Sequence, residues 1–243
     1  MILSQVRKHY REFKISPNLV FKFVAFLCVV FLVASIYNHF KNSNYFPIKE
    51  VKVAGLKHID EKQFQDLLVP YVKSGFFAVS VSNIKNKIRE FSWIEDSEVS
   101  RIWPNQVVIN VVEKTPIANW NDSSLLTTHG EIFNPGKYDE KPLPTFIGPP
   151  GVHVQMLDYY NRMQALLTPL KFKVQKLELT PALSWRITFD NGLKVNTQYN
   201  DALSGVKRLV KAYPKIVGNR VKDVEYIDLR YQDGMAVHWK HKV

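Results

Sequence analysis

From Leu19 to Tyr37 the chain reads LVFKFVAFLCVVFLVASIY, an apolar run broken by one charge, Lys22. At about 1.5 Å per residue, about 19 residues reach about 28 Å, close to the hydrocarbon thickness of a bilayer. Lys22 sits one turn inside the start, where its four-carbon stem can snorkel back to the headgroups. A cleaved signal sequence has a shorter apolar core that ends in small residues. This run is longer and ends Val33-Ala34-Ser35-Ile36-Tyr37. A buried helix of a soluble fold is the third reading. The pattern predicts an uncleaved transmembrane helix over residues 19–38.

Beyond a polar linker from Asn38 to Tyr45, the pattern changes period. Ile48, Val51 and Val53 in IKEVKVAG suggest a strand, which Gly55 stops. Asp60 followed by Gln63 forms a variant capping box, and Phe64, Leu67, Leu68 and Tyr71 then mark one face of a short helix ended by Pro70 and Gly75. A second helix from about Ser82 carries Ile84, Ile88 and Phe91 inward and Lys85, Lys87 and Arg89 outward. Ile94 to Ile102 and the β-branched run Val107 to Val112 read as strands around a Trp103-Pro104-Asn105 turn. The order β-α-α-β-β predicts a small α+β domain over residues 46–115, with both helices on one face of a three-stranded sheet.

A second domain is predicted over residues 116–243. Leu125–Thr128 and Glu131–Phe133 form a hairpin around His129-Gly130, and Pro142, Pro144, Pro149 and Pro150 mark an exposed connection. Val154 to Leu167 has helical spacing, closed by Pro169. Val174–Leu179, Trp185–Asp190 and Leu193–Thr197 are strand-like, the last two joined by the hairpin dipeptide Asn191-Gly192. Asp201 to Tyr213 is amphipathic, with Leu203, Val206, Leu209, Val210 and Tyr213 on one face. Val224–Tyr231 and Met235–Trp239 end the chain as two strands around an Asp233-Gly234 turn. This predicts a mixed α/β domain with a largely antiparallel sheet.

Charge orients the span. Arg7, Lys8, Arg11 and Lys14 precede it against one acid, Glu12, whereas residues 38–44 after it hold one cation, Lys41. The positive-inside rule therefore puts residues 1–18 in the cytoplasm as a short tail, and the rest of the chain across the membrane. The sole cysteine, Cys28, lies in the span as a small apolar residue, so the part outside has no disulfide. The net charge of +11 raises a nucleic-acid partner, but the cations are scattered and no zinc finger, RNP motif or basic helix-turn-helix is present. A basic surface near anionic headgroups explains the charge without nucleic acid.

Candidate chemistry is sparse. No Gly-x-Ser-x-Gly elbow, phosphate loop or His-Glu-x-x-His pair occurs. Of the seven histidines, His238 and His241 stand closest outside the span, but three apart on a strand they do not share a face. No metal site, cofactor or catalytic constellation is expected. The chain reads as a binding protein rather than an enzyme.

The first domain resembles the POTRA module, which handles other polypeptides outside membranes. The segments FPIKEVKVAG and GFFAVSVSNIKNKIREFSWIEDSEVSRIWPNQVVINVVEKTPIANW resemble the FtsQ/DivIB family of bacterial cell-division proteins. The residues that carry the likeness are Phe76-Phe77, Trp93-Ile94, Arg101, Trp103-Pro104, Val111, Glu113, Pro116, Ala118 and Trp120. LLTTHGEIF, LPTFIGPPG and the terminal YIDLRYQDGMAVHW extend the resemblance, in order, to the end of the chain.

The resemblance implies a non-enzymatic divisome scaffold of the inner membrane at the division septum. It implies binding of FtsB and FtsL through the C-terminal domain, contacts of the POTRA-like domain with other divisome proteins, and a link to septal peptidoglycan synthesis. The positions it implies for FtsB are Arg230, Tyr231, Gly234 and Trp239, with Met235 and Val237 on the same predicted terminal strand. Arg suits a carboxylate, Tyr and Trp suit anchors, and Gly suits close backbone approach. The ordinary reading is a solvated Arg, two core aromatics and a turn Gly. The chain departs from the family before Ser184-Trp185, where Ala182-Leu183 replaces basic residues. The alternative is a POTRA-bearing secretion or membrane-assembly factor, which normally carries a POTRA array or an outer-membrane barrel.

Overall fold

The computed structural model describes residues 17–41, 46–136, 138 and 142–240. The basic tail, the linker core at 42–45 and His241 lie outside the described residues. Helix α1, Pro17–Lys41, contains the apolar run, and its Pro17–His39 portion is long and apolar enough to cross a bilayer. Leu19 through Tyr37 present exposed apolar side chains, as a lipid-facing helix does. The chain forms two compact units, residues 1–88 with 97–111, and residues 89–96 with 112–243.

After α1 come β1 (Glu50–Ala54), α2 (Glu61–Val72), α3 (Val81–Ile88), β2 (Ile94–Ile102) and β3 (Gln106–Glu113), with residues 97–102 of β2 and 106–111 of β3 in the first unit. The sheet order is β1-β3-β2, with β1 and β3 parallel. Asp60 caps α2 by accepting the Gln63 N–H at 2.8 Å. Phe64, Leu68, Ile84 and Ile88 are buried along with Val107, Ile109 and Val111 of β3. Leu67 is half-buried, and Phe91 lies beyond the end of α3, also half-buried. Arg101 donates from Nη1 to the Phe76 carbonyl at 3.2 Å. Gly55 has φ +95°, and a Cβ there would stand 1.9 Å from the Val111 carbonyl oxygen, so only glycine fits.

Pro70 does not end α2, which runs on to Val72. A proline in a last turn forfeits one hydrogen bond, and the buried Phe64 and Leu68 hold the helix in place regardless. Pro214 behaves in the same way in α5 below.

The second unit is a nine-stranded sheet backed by two helices. Its strands are β4 (Pro116–Trp120), β5 (Ser124–Thr127), β6 (Ile132–Phe133), β7 (Thr145–Ile147), β8 (Val174–Leu179), β9 (Ser184–Phe189), β10 (Lys194–Gln198), β11 (Val224–Asp228) and β12 (Ala236–Trp239). Their spatial order is β12-β11-β10-β9-β8-β7-β4-β5-β6. The pairs β10–β11, β7–β8 and β4–β7 are parallel, and the other pairs are antiparallel. Trp93 belongs to this unit, where its Nε1–H donates to the Pro135 carbonyl at 3.0 Å and its ring meets Phe133 edge-on.

Helices α4 (His153–Leu167) and α5 (Ala202–Ile216) bury Met156, Leu157, Met163, Leu167, Val206, Leu209 and Tyr213 against Trp185, Ile187, Phe189 and Val195 in one core. Gly205 lets α5 approach the sheet, since a Cβ there would meet Thr197 Oγ1 at 2.8 Å and Leu229 Cβ at 3.3 Å.

Two expectations need correction. The proline-marked connection contains β7, whose Phe146 is fully buried in mid-sheet. A three-residue strand between prolines carries too little period to read. The terminal hairpin is not closed at Asp233-Gly234: β11 stops at Asp228 and residues 229–235 form a loop. Gly234 lacks a left-handed φ, so no tight turn demands glycine there.

Candidate functional site

Strand β12 is the outer edge of the nine-stranded sheet. It pairs antiparallel with β11 through Trp239–Val224, His238–Tyr226, Val237–Ile227 and Ala236–Asp228. Which backbone groups face outward follows from the neighbours. The Leu229 N–H donates to Asn196 of β10 and the Lys240 N–H donates to the Asp223 carbonyl, 2.8 Å each. Backbone groups alternate sides along a strand. Tyr226 and Asp228 therefore point at β12, and Ala236 and His238 point back at β11. The N–H and C=O groups of Val237 and Trp239 face outward, with no strand beyond them among the described residues.

The side chains divide between two faces. Met235 and Val237 pack against the core. Trp239, 37% exposed, is covered on one side by the Arg220 guanidinium, 4.6 Å from its ring centroid. On the opposite face His238 stacks on Tyr226 at 4.1 Å between ring centroids.

The loop before β12 is fixed through its carbonyls. Gln198 Nε2 donates to the Arg230 carbonyl at 2.9 Å. Arg208 Nη2 lies 3.0 Å from the Leu229 carbonyl, 2.9 Å from the Tyr231 carbonyl and 2.9 Å from Asp201 Oδ2. The Tyr231 side chain is 61% exposed above this anchored backbone. Gly234 is open, with nothing within 4 Å of a built Cβ.

Arg230 is already engaged within the chain. Its Nε lies 3.0 Å from both Asp228 carboxylate oxygens and its Nη2 lies 2.6 Å from Oδ2. The Arg230 side-chain hydrogen bond holds the Asp228 carboxyl below its ordinary value against the opposing effect of burial. The Asp228 side chain is only 5% exposed and that of Arg230 is 55% exposed. Arg230 thus keeps an outward side while neutralising a buried carboxylate.

Sequence reasoning missed Asp228, Arg208, Asp201 and Gln198. Asp228 and Arg230 had a readable signal, since residues two apart in extended chain share a face. Asp201 and Arg208 stand seven apart, two turns along one helix, but the contacts of Gln198 and Arg208 with the carbonyls of residues 229–231 join segments distant in the chain and left no local trace. Leu183 has φ +51° and is 62% exposed in the β8–β9 turn. Antiparallel β9 and parallel β10 and β11 bring that turn and the 229–235 loop to the same end of the sheet. Among the described residues no group of His, Cys, Asp and Glu is arranged to hold a metal ion.

The family model described as "POTRA domain, FtsQ-type" matches residues 46–114, and "Cell division protein FtsQ/DivIB, C-terminal" matches residues 118–230. The chain is 31% identical to the cell division protein FtsQ of Coxiella burnetii, over 97% of each chain. The chain belongs to the FtsQ/DivIB family of cell-division proteins. It is 27% identical to the FtsQ of Xanthomonas campestris over 90% of this chain and 81% of that one. With the FtsQ of Aliivibrio fischeri it shares 27% identity over 98% and 91%. The family resemblance read from the sequence is thereby confirmed, and the C-terminal match stands against a secretion factor built from POTRA repeats.

Proposed function

We propose that the chain is a non-enzymatic divisome scaffold that spans the inner membrane once. Residues 1–18 form the cytoplasmic tail, residues 19–38 the span, and residues 46–115 and 116–243 the two periplasmic domains. The cation excess before the span supports this orientation. The scaffold works at the septum. It recruits FtsB with FtsL through the C-terminal domain and so ties divisome assembly to septal peptidoglycan synthesis, while the POTRA-like domain meets other divisome proteins.

One observation carries the binding site: the outward backbone groups of Val237 and Trp239 on an edge strand, Ala236–Trp239, with neither proline nor lysine. Unblunted edges are templates for strand addition. An extended segment of FtsB adds there as a tenth strand. Tyr231 and Trp239 anchor its apolar side chains, Met235 and Val237 back the edge, open Gly234 admits its backbone, and the outer side of Arg230 receives a carboxylate.

Val237→Pro tests this, because it deletes an outward donor and no internal ladder bond. The FtsB periplasmic segment, titrated into the full chain in uncharged detergent, should bind at least tenfold more weakly to this variant than to wild type. A folded Val237→Pro chain with wild-type affinity for FtsB removes the edge from the reading.

A further inference from the structure

A second surface of the C-terminal unit has the form of a docking site. Between α4 and α5 runs a groove of about 540 Å³. Its lining is mixed: Leu166 and Leu203 are half-buried and packed on the core, as is Tyr159, whose ring lies 5.0 Å from that of Trp185, and Asn200 and Ser204 add polar groups beside them. Its rims are cationic, Arg162 on α4 and Lys207 on α5.

The positive rim continues along α5. Lys207, Lys211 and Lys215 are exposed at i, i+4 and i+8, a row spaced about 6 Å apart. Helix α5 holds four cations and no acid, and only Arg208 among them turns inward to Asp201. The three lysines have no ion-pair partner among the described residues. On α4 the one acid is Asp158, which pairs with Arg162 at 3.2 Å.

We propose that this groove receives an acidic amphipathic helix of a partner protein. A helix laid along it sets its apolar stripe on Leu166, Leu203 and Tyr159. Carboxylates at i and i+4 on its flank repeat at the same 6 Å spacing (about one helical turn) as Lys207 and Lys211. Shape and charge together select this occupant. The apolar face of α5, Val206, Leu209 and Tyr213, is buried in the core and cannot enter a bilayer, and a flat headgroup surface cannot fill a concave floor. The site is separate from the β12 edge and does not depend on it.

The test uses the full chain in uncharged detergent and a labelled synthetic 18-residue helix with a leucine stripe and glutamates at i, i+4. Wild type binds this peptide at least tenfold more tightly than a scrambled peptide of the same composition. Lys207→Glu/Lys211→Glu and Ser204→Trp, which fills the groove without changing charge, each weaken binding at least tenfold. Both variants melt like wild type, because Ser204, Lys207 and Lys211 are exposed. Val237→Pro leaves peptide binding unchanged, so failure of the edge site is read separately. The proposal falls if the scrambled peptide binds equally well, or if either variant keeps wild-type affinity for the peptide. It also falls if the charge reversal releases the chain from vesicles holding 30% phosphatidylglycerol as strongly as it releases the peptide, since the row is then a lipid contact.

Discussion

Arg230 lays its guanidinium along the buried carboxylate of Asp228, with Nη2 2.6 Å from Oδ2 and Nε 3.0 Å from both oxygens. Removing the guanidinium leaves a buried carboxylate without its charged partner. Arg230→Gln should lower stability by about 1–3 kcal/mol near neutral pH. The Asp228 carboxyl titrates below its ordinary value in the folded chain, chiefly through the Arg230 hydrogen bond. Its stabilising contribution is therefore fully present above the unfolded carboxylate pKa and is lost as pH falls through the lower folded value. Urea melts at a series of pH values should show wild type and Arg230→Gln converging only below the ordinary carboxylate range. A gap that stays constant down to acid pH excludes the pair as its source.

The two faces of the terminal strand predict unequal outcomes for proline. His238 points its N–H at β11, so His238→Pro breaks an internal ladder bond and should lower the melting temperature by several degrees. Val237→Pro, whose lost donor faces solvent, should lower it less, through the change in core-side packing alone. A larger melting shift for Val237→Pro than for His238→Pro would show the alternation along β12 to be reversed.

Tyr231 is exposed while its own carbonyl is held by Arg208 at 2.9 Å. Tyr231→Ala therefore removes a surface ring without loosening the loop. It should weaken FtsB binding by about 2 kcal/mol or more, as an interface anchor does, with an unchanged melt. Wild-type affinity in calorimetry takes Tyr231 out of the interface.

Gly205 sits where α5 crosses the sheet. A methyl group there meets Thr197 Oγ1 at 2.8 Å and Leu229 Cβ at 3.3 Å. Gly205→Ala should destabilise the chain by about 1–3 kcal/mol from overpacking, despite the better helix propensity of alanine. Thr197→Ala removes the nearer obstacle, so the double variant should lose less than the sum of the two single losses. Additive losses in denaturant melts exclude contact between these positions.

Leu68, 1% exposed in the POTRA-type unit, should cost about 2–5 kcal/mol when replaced by alanine. An unmoved thermal transition for that unit would show that α2 does not pack through this face.

Local pattern alone determined which stretches became the N-terminal apolar helix, α2 to α5 and most of the strands. The first of these is apolar all round; the others bury one stripe or one alternate set of side chains, and that pattern is written in consecutive residues. Asp60 caps α2, and Ile94–Ile102 is a strand, both as the sequence reading expected. Where the period was short or absent, only the assembled sheet decided. β7 exists because β4 pairs with two of its residues and β8 with all three, and Phe146 is buried by neighbours far along the chain. Likewise, the Asp233-Gly234 dipeptide promised a tight turn, but Asp228, Arg230, Gln198 and Arg208 hold a longer loop through contacts across the sheet. The sequence could place Arg230, Tyr231, Gly234, Met235, Val237 and Trp239 near the end of the chain. Whether a backbone N–H there faces a neighbour or solvent depends on which strand lies alongside, and that pairing is a property of the tertiary structure alone.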